Sequence, residues 1–340
     1  MVSMSTPTPT STAPDPTPTG GAVGHAAQSL TGQEDKDKVA SMLPRSETPG
    51  VPGDENQLSE HDLYQLAQQL KDEEANKRPL ISSAEPLSAL REEYTNGTGN
   101  FLEKIEWLMS QGWRGLRRTR GDGDCFYRSL AYAYVERLLF ADDQDLAVAS
   151  TKSILEAKLK VLEQVGFEKL AYEDFYDAFV EVIDLIVKPN QHGRKLDANG
   201  LLEFFQTPEL SNSAVFFLKL VTSAQMRSEP ALYEGFLMNP DTGDPMGVKE
   251  FCERFVEAAG KEADDPMISA LTSALSVPVN VAYLSNAGFS DSSHKVNFVE
   301  FQSEGTGLSG AEPITLLYRP GHYDILEKRA DDLETRPDRK

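Results

Sequence analysis

Cys125, His322 and Asp324 are the residues whose types and spacing could do chemistry. Cys125 stands where the glycine-rich loop Gly121-Asp122-Gly123-Asp124 hands over to Phe126-Tyr127-Arg128-Ser129-Leu130, a helical pattern. At a helix start the unpaired backbone N–H groups and the positive end of the dipole face the sulfur, and both favour thiolate. A nucleophilic thiol also needs a base. His322 precedes Asp324 by two residues, and in a strand such residues share one face, so the carboxylate can fix the imidazole tautomer and stabilise the imidazolium. Gly121 and Gly123 let the loop turn its amides inward, which would make an oxyanion hole from the Asp122 and Cys125 N–H groups. Together these parts describe acyl transfer through a covalent cysteine intermediate. Taken singly, Cys125 reads as a small buried hydrophobe and His322 as a turn histidine.

The elements that must position these residues are legible in outline. Cys125 to Phe140 is apolar nearly all round, the pattern of a buried helix. Phe101 to Met109 is a second helical pattern, and helical stripes dominate from Leu146 to Arg227, through Leu155, Leu159 and Leu162, Phe175 to Ile186, Leu201 to Phe205, and Val215 to Leu220. Further helices are expected over Lys249 to Ala259 and Pro266 to Ser276. Val277 to Tyr283 reads as a strand, and Ile314 to Tyr318 and His322 to Leu326 as two strands joined by the turn Arg319-Pro320-Gly321. The sum is α+β, a small sheet surrounded by many helices. Trp113 to Arg120 is a short basic stretch, expected to be a solvated face.

Residues 1–56 are rich in Pro, Thr, Ser and Gly, and the first aromatic residue is Tyr64. Such a segment buries too little apolar surface to offset its ordering entropy and is expected to be a disordered tail. An amphipathic arm at 59–77 opens a catalytic domain spanning 57–328, and 329–340 is a charged tail. Two domains would also fit the 340 residues. Lys plus Arg number 33 against 54 Asp plus Glu, a net charge of −21, which argues against nucleic acid and anionic membrane and favours partners with basic surfaces. No apolar run approaches the roughly 18 residues that span a bilayer. Cys125 and Cys252 form no CxxC pair, so neither a disulfide framework nor a cysteine zinc site is expected. A reducing compartment follows, the cytoplasm and, as an alternative, the nucleus.

Competing motifs lack context. Gly305-Thr306-Gly307-Leu308-Ser309-Gly310 fits GxGxxG but runs into Pro313 instead of opening a helix. Asp122-Gly123-Asp124 begins like a calcium loop, yet Phe126 and Tyr127 stand where an acid or amide and then glycine are required. The sequon Asn96-Gly97-Thr98 has no secretory signal before it. No cofactor and no metal are expected.

Asp122-Gly123-Asp124-Cys125-Phe126-Tyr127-Arg128, together with Tyr318-Arg319-Pro320-Gly321-His322-Tyr323-Asp324-Ile325-Leu326, resembles the otubains, a branch of the ovarian-tumour cysteine deubiquitinases. Val248-Lys249-Glu250-Phe251-Cys252 and Ala270 to Val277 extend the likeness over about Leu58 to Lys328. The resemblance implies a papain-like fold of the ovarian-tumour type and cleavage of the bond between the ubiquitin C-terminal glycine and a lysine. It makes Cys125 the nucleophile, His322 the base and later the acid, Asp324 the orienting residue, and the Asp122 amide part of the oxyanion hole. It also implies ubiquitin and polyubiquitin as partners, extending to ubiquitin-conjugating enzymes, with the helical region 167–227 holding the distal ubiquitin and the helix Ser59 to Lys71 touching the proximal one; the protein is expected to be a monomer.

One position departs from that family. Asparagine is expected before the cysteine, where this chain has Asp124, whose charge would raise the thiol pKa unless it is screened. A protein that holds ubiquitin or a conjugating enzyme without cleaving is therefore the alternative function, and a scaffold built on the Pro/Thr tail is a third.

Overall fold

The turn at Arg319-Pro320-Gly321 joins two antiparallel strands at the centre of a six-stranded sheet. The computed structural model describes residues 77–95, 99–285, 294–302 and 312–328. The N-terminal tail, the arm as far as residue 76, the sequon, the Gly305 to Gly310 motif and the tail 329–340 lie outside the described residues.

The strands are β1 (Ile81–Pro86), β2 (Gly115–Thr119), β3 (Val279–Tyr283), β4 (Asn297–Phe301), β5 (Ile314–Arg319) and β6 (His322–Glu327), in the order β1-β2-β6-β5-β3-β4. All neighbours are antiparallel except β3 and β5. Pro320 pre-sets the turn and Gly321 takes φ +74°, the combination of a type II turn. The register pairs Arg319 with His322, Tyr318 with Tyr323 and Leu317 with Asp324.

Ten helices cover the sheet among the described residues: α1 (Leu87–Glu93), α2 (Gly99–Ser110), α3 (Cys125–Leu139), α4 (Gln144–Gln164), α5 (Glu173–Asp184), α6 (Ala198–Gln206), α7 (Pro208–Ser228), α8 (Pro230–Tyr233), α9 (Val248–Phe251) and α10 (Asp265–Leu275). The helix expected over Lys249 to Ala259 is shorter, with a π-turn at Cys252–Val256 continuing α9. No helix among the described residues is long and apolar enough to cross a membrane.

Two cores flank the sheet. Leu317 and Leu326 join Leu87, Leu90, Ile105 and Leu108 of α1 and α2, whereas Leu316, Tyr323 and Ile325 join the large core built on α3 and α7. With both faces covered, β5 is buried continuously from Ile314 to Leu317, and β6 buries Tyr323 to Leu326 with Asp324 among them. α3 lies in the interior and is buried on almost every side, as its composition requires. α7 begins with Pro208 at its first turn and packs against α3, α4, α5 and α10.

The basic stretch is not a solvated face. Its centre is β2, where successive side chains alternate across the sheet. Arg117 is buried between Glu136 of α3 and Glu327 of β6, 3.4 Å from each, with its guanidinium 4.5 Å from the Tyr132 ring centre. Arg118, on the opposite face, pairs with Glu85 and Glu93. Local charge density hid a strand whose cations are neutralised by acids distant in sequence. β1 and β4 are likewise absent from the elements expected from sequence.

Candidate active site

Three segments converge on Cys125: the loop 121–124 before α3, the β5–β6 turn, and the loop between the π-turn and α10. The loop 121–124 is held from within. The Asp122 carboxylate accepts from the Asp124 N–H at 3.0 Å and from Arg128 Nη2 at 2.7 Å. Arg128, one turn into α3 and only 1% exposed, also donates to Ser211 Oγ and Asn212 Oδ1 of α7. Gly123 takes φ +81°, and a Cβ there would lie 2.2 Å from the Gly260 carbonyl oxygen, so only glycine fits. Among the described residues the Asp122 and Cys125 amides make no hydrogen bond, which leaves both free for an oxyanion.

His322 and Asp324 share a face of β6, as their spacing requires, and His322 Nε2 lies 2.8 Å from Asp324 Oδ1. With Nε2 taken up by the acid, the other ring nitrogen, Nδ1, faces the Cys125 loop, where a Cβ on Gly121 would approach it to 3.5 Å. Tyr323, between them in sequence, donates its backbone N–H to Cys125 Sγ at 3.4 Å. Cys125, His322 and Asp324 thus share one neighbourhood although they stand nearly 200 residues apart, with no hydrogen bond between His322 and Cys125 among the described residues.

Asp324 is fully buried, yet both its oxygens are hydrogen-bonded. The Thr119 N–H donates to Oδ1 at 3.0 Å and Arg319 Nη2 to Oδ2 at 2.5 Å. Burial acts to raise its pKa, but the His322 hydrogen bond and charge, Arg319 and the Thr119 N–H together hold the carboxyl below its usual range.

For Cys125 the balance runs the other way. The thiol is 1% exposed, and burial pushes its pKa up to about 12, against the Tyr323 N–H, which lowers it. Asp122, Glu262 and Asp324 add to the rise. The thiolate expected from the helix start is not the resting state, because desolvation of the anion outweighs the field of the helix end. Asp124 is neither solvent-facing nor unpaired: it forms an ion pair with Lys219 Nζ at 2.7 Å, and both its oxygens accept from the Gly260 N–H at 3.2 Å.

Cys252, the second cysteine, is buried in the α9 π-turn against the Ser223 carbonyl, away from any histidine partner among the described residues. Four residues at the site were not expected from sequence: Arg128, Arg319, Lys219 and Glu262. Arg128 and Arg319 lie inside the two quoted motifs. Lys219 had a signal of its own, a lone cation inside the apolar run Phe216-Phe217-Leu218-Lys219-Leu220-Val221, where a charge is tolerated only when paired. Glu262, near the Gly321 turn, has no local signal. Among the described residues no group of three or more His, Cys, Asp or Glu could hold a metal ion.

Residues 73–328 match the family model described as Peptidase C65 Otubain. The ovarian tumor domain-containing deubiquitinating enzyme 1 of Arabidopsis thaliana is 36% identical over 261 residues, covering 75% of this chain and 83% of that protein. Ubiquitin thioesterase OTUB1 of Homo sapiens is 34% identical over 266 residues, covering 77% of this chain and 89% of its own length. A solved complex of h/ceOTUB1 with ubiquitin aldehyde and UBC13~Ub superposes with a TM-score of 0.65 at 28% identity, covering 79% of this chain and 99% of that one. A complex of ceOTUB1 with ubiquitin aldehyde and UBC13~Ub gives a TM-score of 0.63 at 29% identity, covering 77% and 99% of the two chains.

Proposed function

Because the chain belongs to the otubain peptidases, we propose that it is a cysteine-type deubiquitinase that works through Cys125, His322 and Asp324. The observation that carries this reading is the 2.8 Å His322–Asp324 contact on a strand whose next amide, at Tyr323, holds the Cys125 sulfur. Ubiquitin and ubiquitin-conjugating enzymes are its partners, by likeness to the OTUB1 complexes. Cys125 attacks the carbonyl of the ubiquitin C-terminal glycine, and its proton passes to His322 Nδ1. Asp324 accepts from Nε2–H, which keeps Nδ1 free as the base and stabilises the imidazolium that forms. The Asp122 and Cys125 amides receive the oxyanion, and His322 returns its proton to the departing lysine amine. Water then hydrolyses the thioester by the reverse sequence of proton transfers.

The resting thiol is neutral and closed to solvent, so substrate must reach the sulfur before proton transfer to His322. A second reading draws on the same closure: a protein that holds ubiquitin or a conjugating enzyme without turnover.

Ubiquitin carrying a C-terminal electrophile separates the two readings. The parent chain is expected to gain the mass of one ubiquitin, and Cys125→Ala to gain none while still binding ubiquitin. Binding by the parent without an adduct would put the non-catalytic reading first.

A further inference from the structure

Three carboxylates, Asp122, Asp124 and Asp324, stand on the two motifs that meet at Cys125, and each has its own cation, buried for Asp122 and Asp124 and partly exposed for Asp324. Arg128 pairs with Asp122 at 2.7 Å and Arg319 with Asp324 at 2.5 Å. The third pair joins Asp124, adjacent to the nucleophile, to Lys219 at 2.7 Å, and reaches across from the loop before α3 to α7. Lys219 is fully buried, and its three ammonium protons have three acceptors: Asp124 Oδ1, the Ala258 carbonyl at 2.8 Å and the Lys261 carbonyl at 3.5 Å. The Tyr127 ring centre lies 4.9 Å from Nζ. Asp124 binds the same loop from the other side, through the Gly260 N–H.

We propose that Lys219 is a positioning residue for the reaction: it cancels the charge of Asp124 beside Cys125 and locks the 258–261 loop onto the oxyanion loop. The inference rests on Cys125 being the nucleophile.

Two physical arguments support it. An unpaired carboxylate one residue from the thiol, in a desolvated site, would oppose the thiolate. The Cys125 thiol already faces Asp122 from its own loop, Asp324 from β6 and Glu262 from the loop before α10. His322 is the neighbouring base on β6, and the Tyr318 and Tyr323 phenols also sense the sulfur. Lys219 is the cation that α7 turns toward this group, and the sulfur in turn bears on its titration. The second argument is steric: the Gly260 carbonyl occupies the place of a Gly123 side chain, so loosening the 258–261 loop releases the turn that presents the Asp122 and Cys125 amides.

The test measures the rate of Cys125 capture by iodoacetamide against pH, read on the Cys125 peptide by mass, beside thermal midpoints. Lys219→Met is expected to raise the apparent pKa of capture by about one unit or more, the size of one uncompensated neighbouring charge. The double variant Asp124→Asn with Lys219→Met removes both charges and returns the profile to that of the parent, and Lys219→Arg keeps it. Asp124→Asn alone leaves the cation unopposed and lowers the capture pKa. A merely structural Lys219 would change thermal midpoints with no shift in these profiles. A parental profile in Lys219→Met, or an unrestored one in the double variant, overturns the proposal. If Lys219→Met does not fold, Asp124→Asn decides: a lowered capture pKa supports the pair, and a parental one overturns it. Adduct formation with the ubiquitin electrophile by the parent, without shifted profiles, defeats this inference alone; a parent that forms no adduct defeats the nucleophile assignment and this inference with it.

Discussion

At the scale of single residues the site depends on Asp324 being both buried and ionised. Its three partners, His322, Arg319 and the Thr119 N–H, keep the carboxyl charged where burial alone would neutralise it. An amide in its place would present an N–H to His322 and favour the wrong tautomer. Asp324→Asn is therefore expected to fold, to bind ubiquitin, and to lose roughly 10³–10⁴ in kcat, checked by steady-state hydrolysis beside a thermal melt. Retention of more than a tenth of parental kcat would contradict the orienting role. The placement of the pair was legible, because a period of two puts both residues on one face of any strand. Arg319 as the counter-ion was not, because it depends on the hairpin register that sets it opposite His322.

At the scale of elements, the loop 121–124 and the β2–β6–α3 contact each make a prediction. Gly123 combines φ +81° with a carbonyl in the space of its side chain. Gly123→Ala is expected to cost about 1–3 kcal/mol in backbone strain, measured by denaturant unfolding, and to slow adduct formation by displacing the oxyanion amides. Parental adduct rates in a destabilised variant would separate that loop from catalysis. Elsewhere, Arg117 serves two acids, Glu136 and Glu327, so one carboxylate is in excess. Burial, with Glu136 adding to it, raises Glu327 to about 7 from 4.5, despite Arg117. The native state then holds a proton that the unfolded chain releases, so stability falls as pH rises from about 4.5 to about 7 and levels off above. Glu327→Gln carries no such proton: its thermal midpoint should exceed that of the parent at pH 8, and the gap should narrow toward pH 5. An equal gap at both pH values would mean that Glu327 does not titrate in this window.

At the scale of the whole molecule, the described residues that meet at Cys125 come from 119–128, 211–219, 258–262 and 319–324. Removing residues 1–56 should leave the rate of adduct formation with the ubiquitin electrophile unchanged. A loss of more than about tenfold, equivalent to ~1.4 kcal/mol, would place part of the binding surface in that segment.

What the chain's own order of residues determined is local: a thiol at the start of an interior helix, a glycine loop before it, a histidine and an acid two apart on a strand, and the α+β pattern around them. Each follows from backbone periodicity and conformational freedom, which act over a few residues. The tertiary structure decided the electrostatics. It turned the basic stretch at Trp113 to Arg120 into a buried strand by bringing Glu136 and Glu327 to Arg117. It set Lys219 against Asp124 across 95 residues, since 219 − 124 = 95, and left the thiol neutral although its helix position favours the anion. Desolvation and charge pairing depend on what fills the surrounding space, and only the packed chain specifies that.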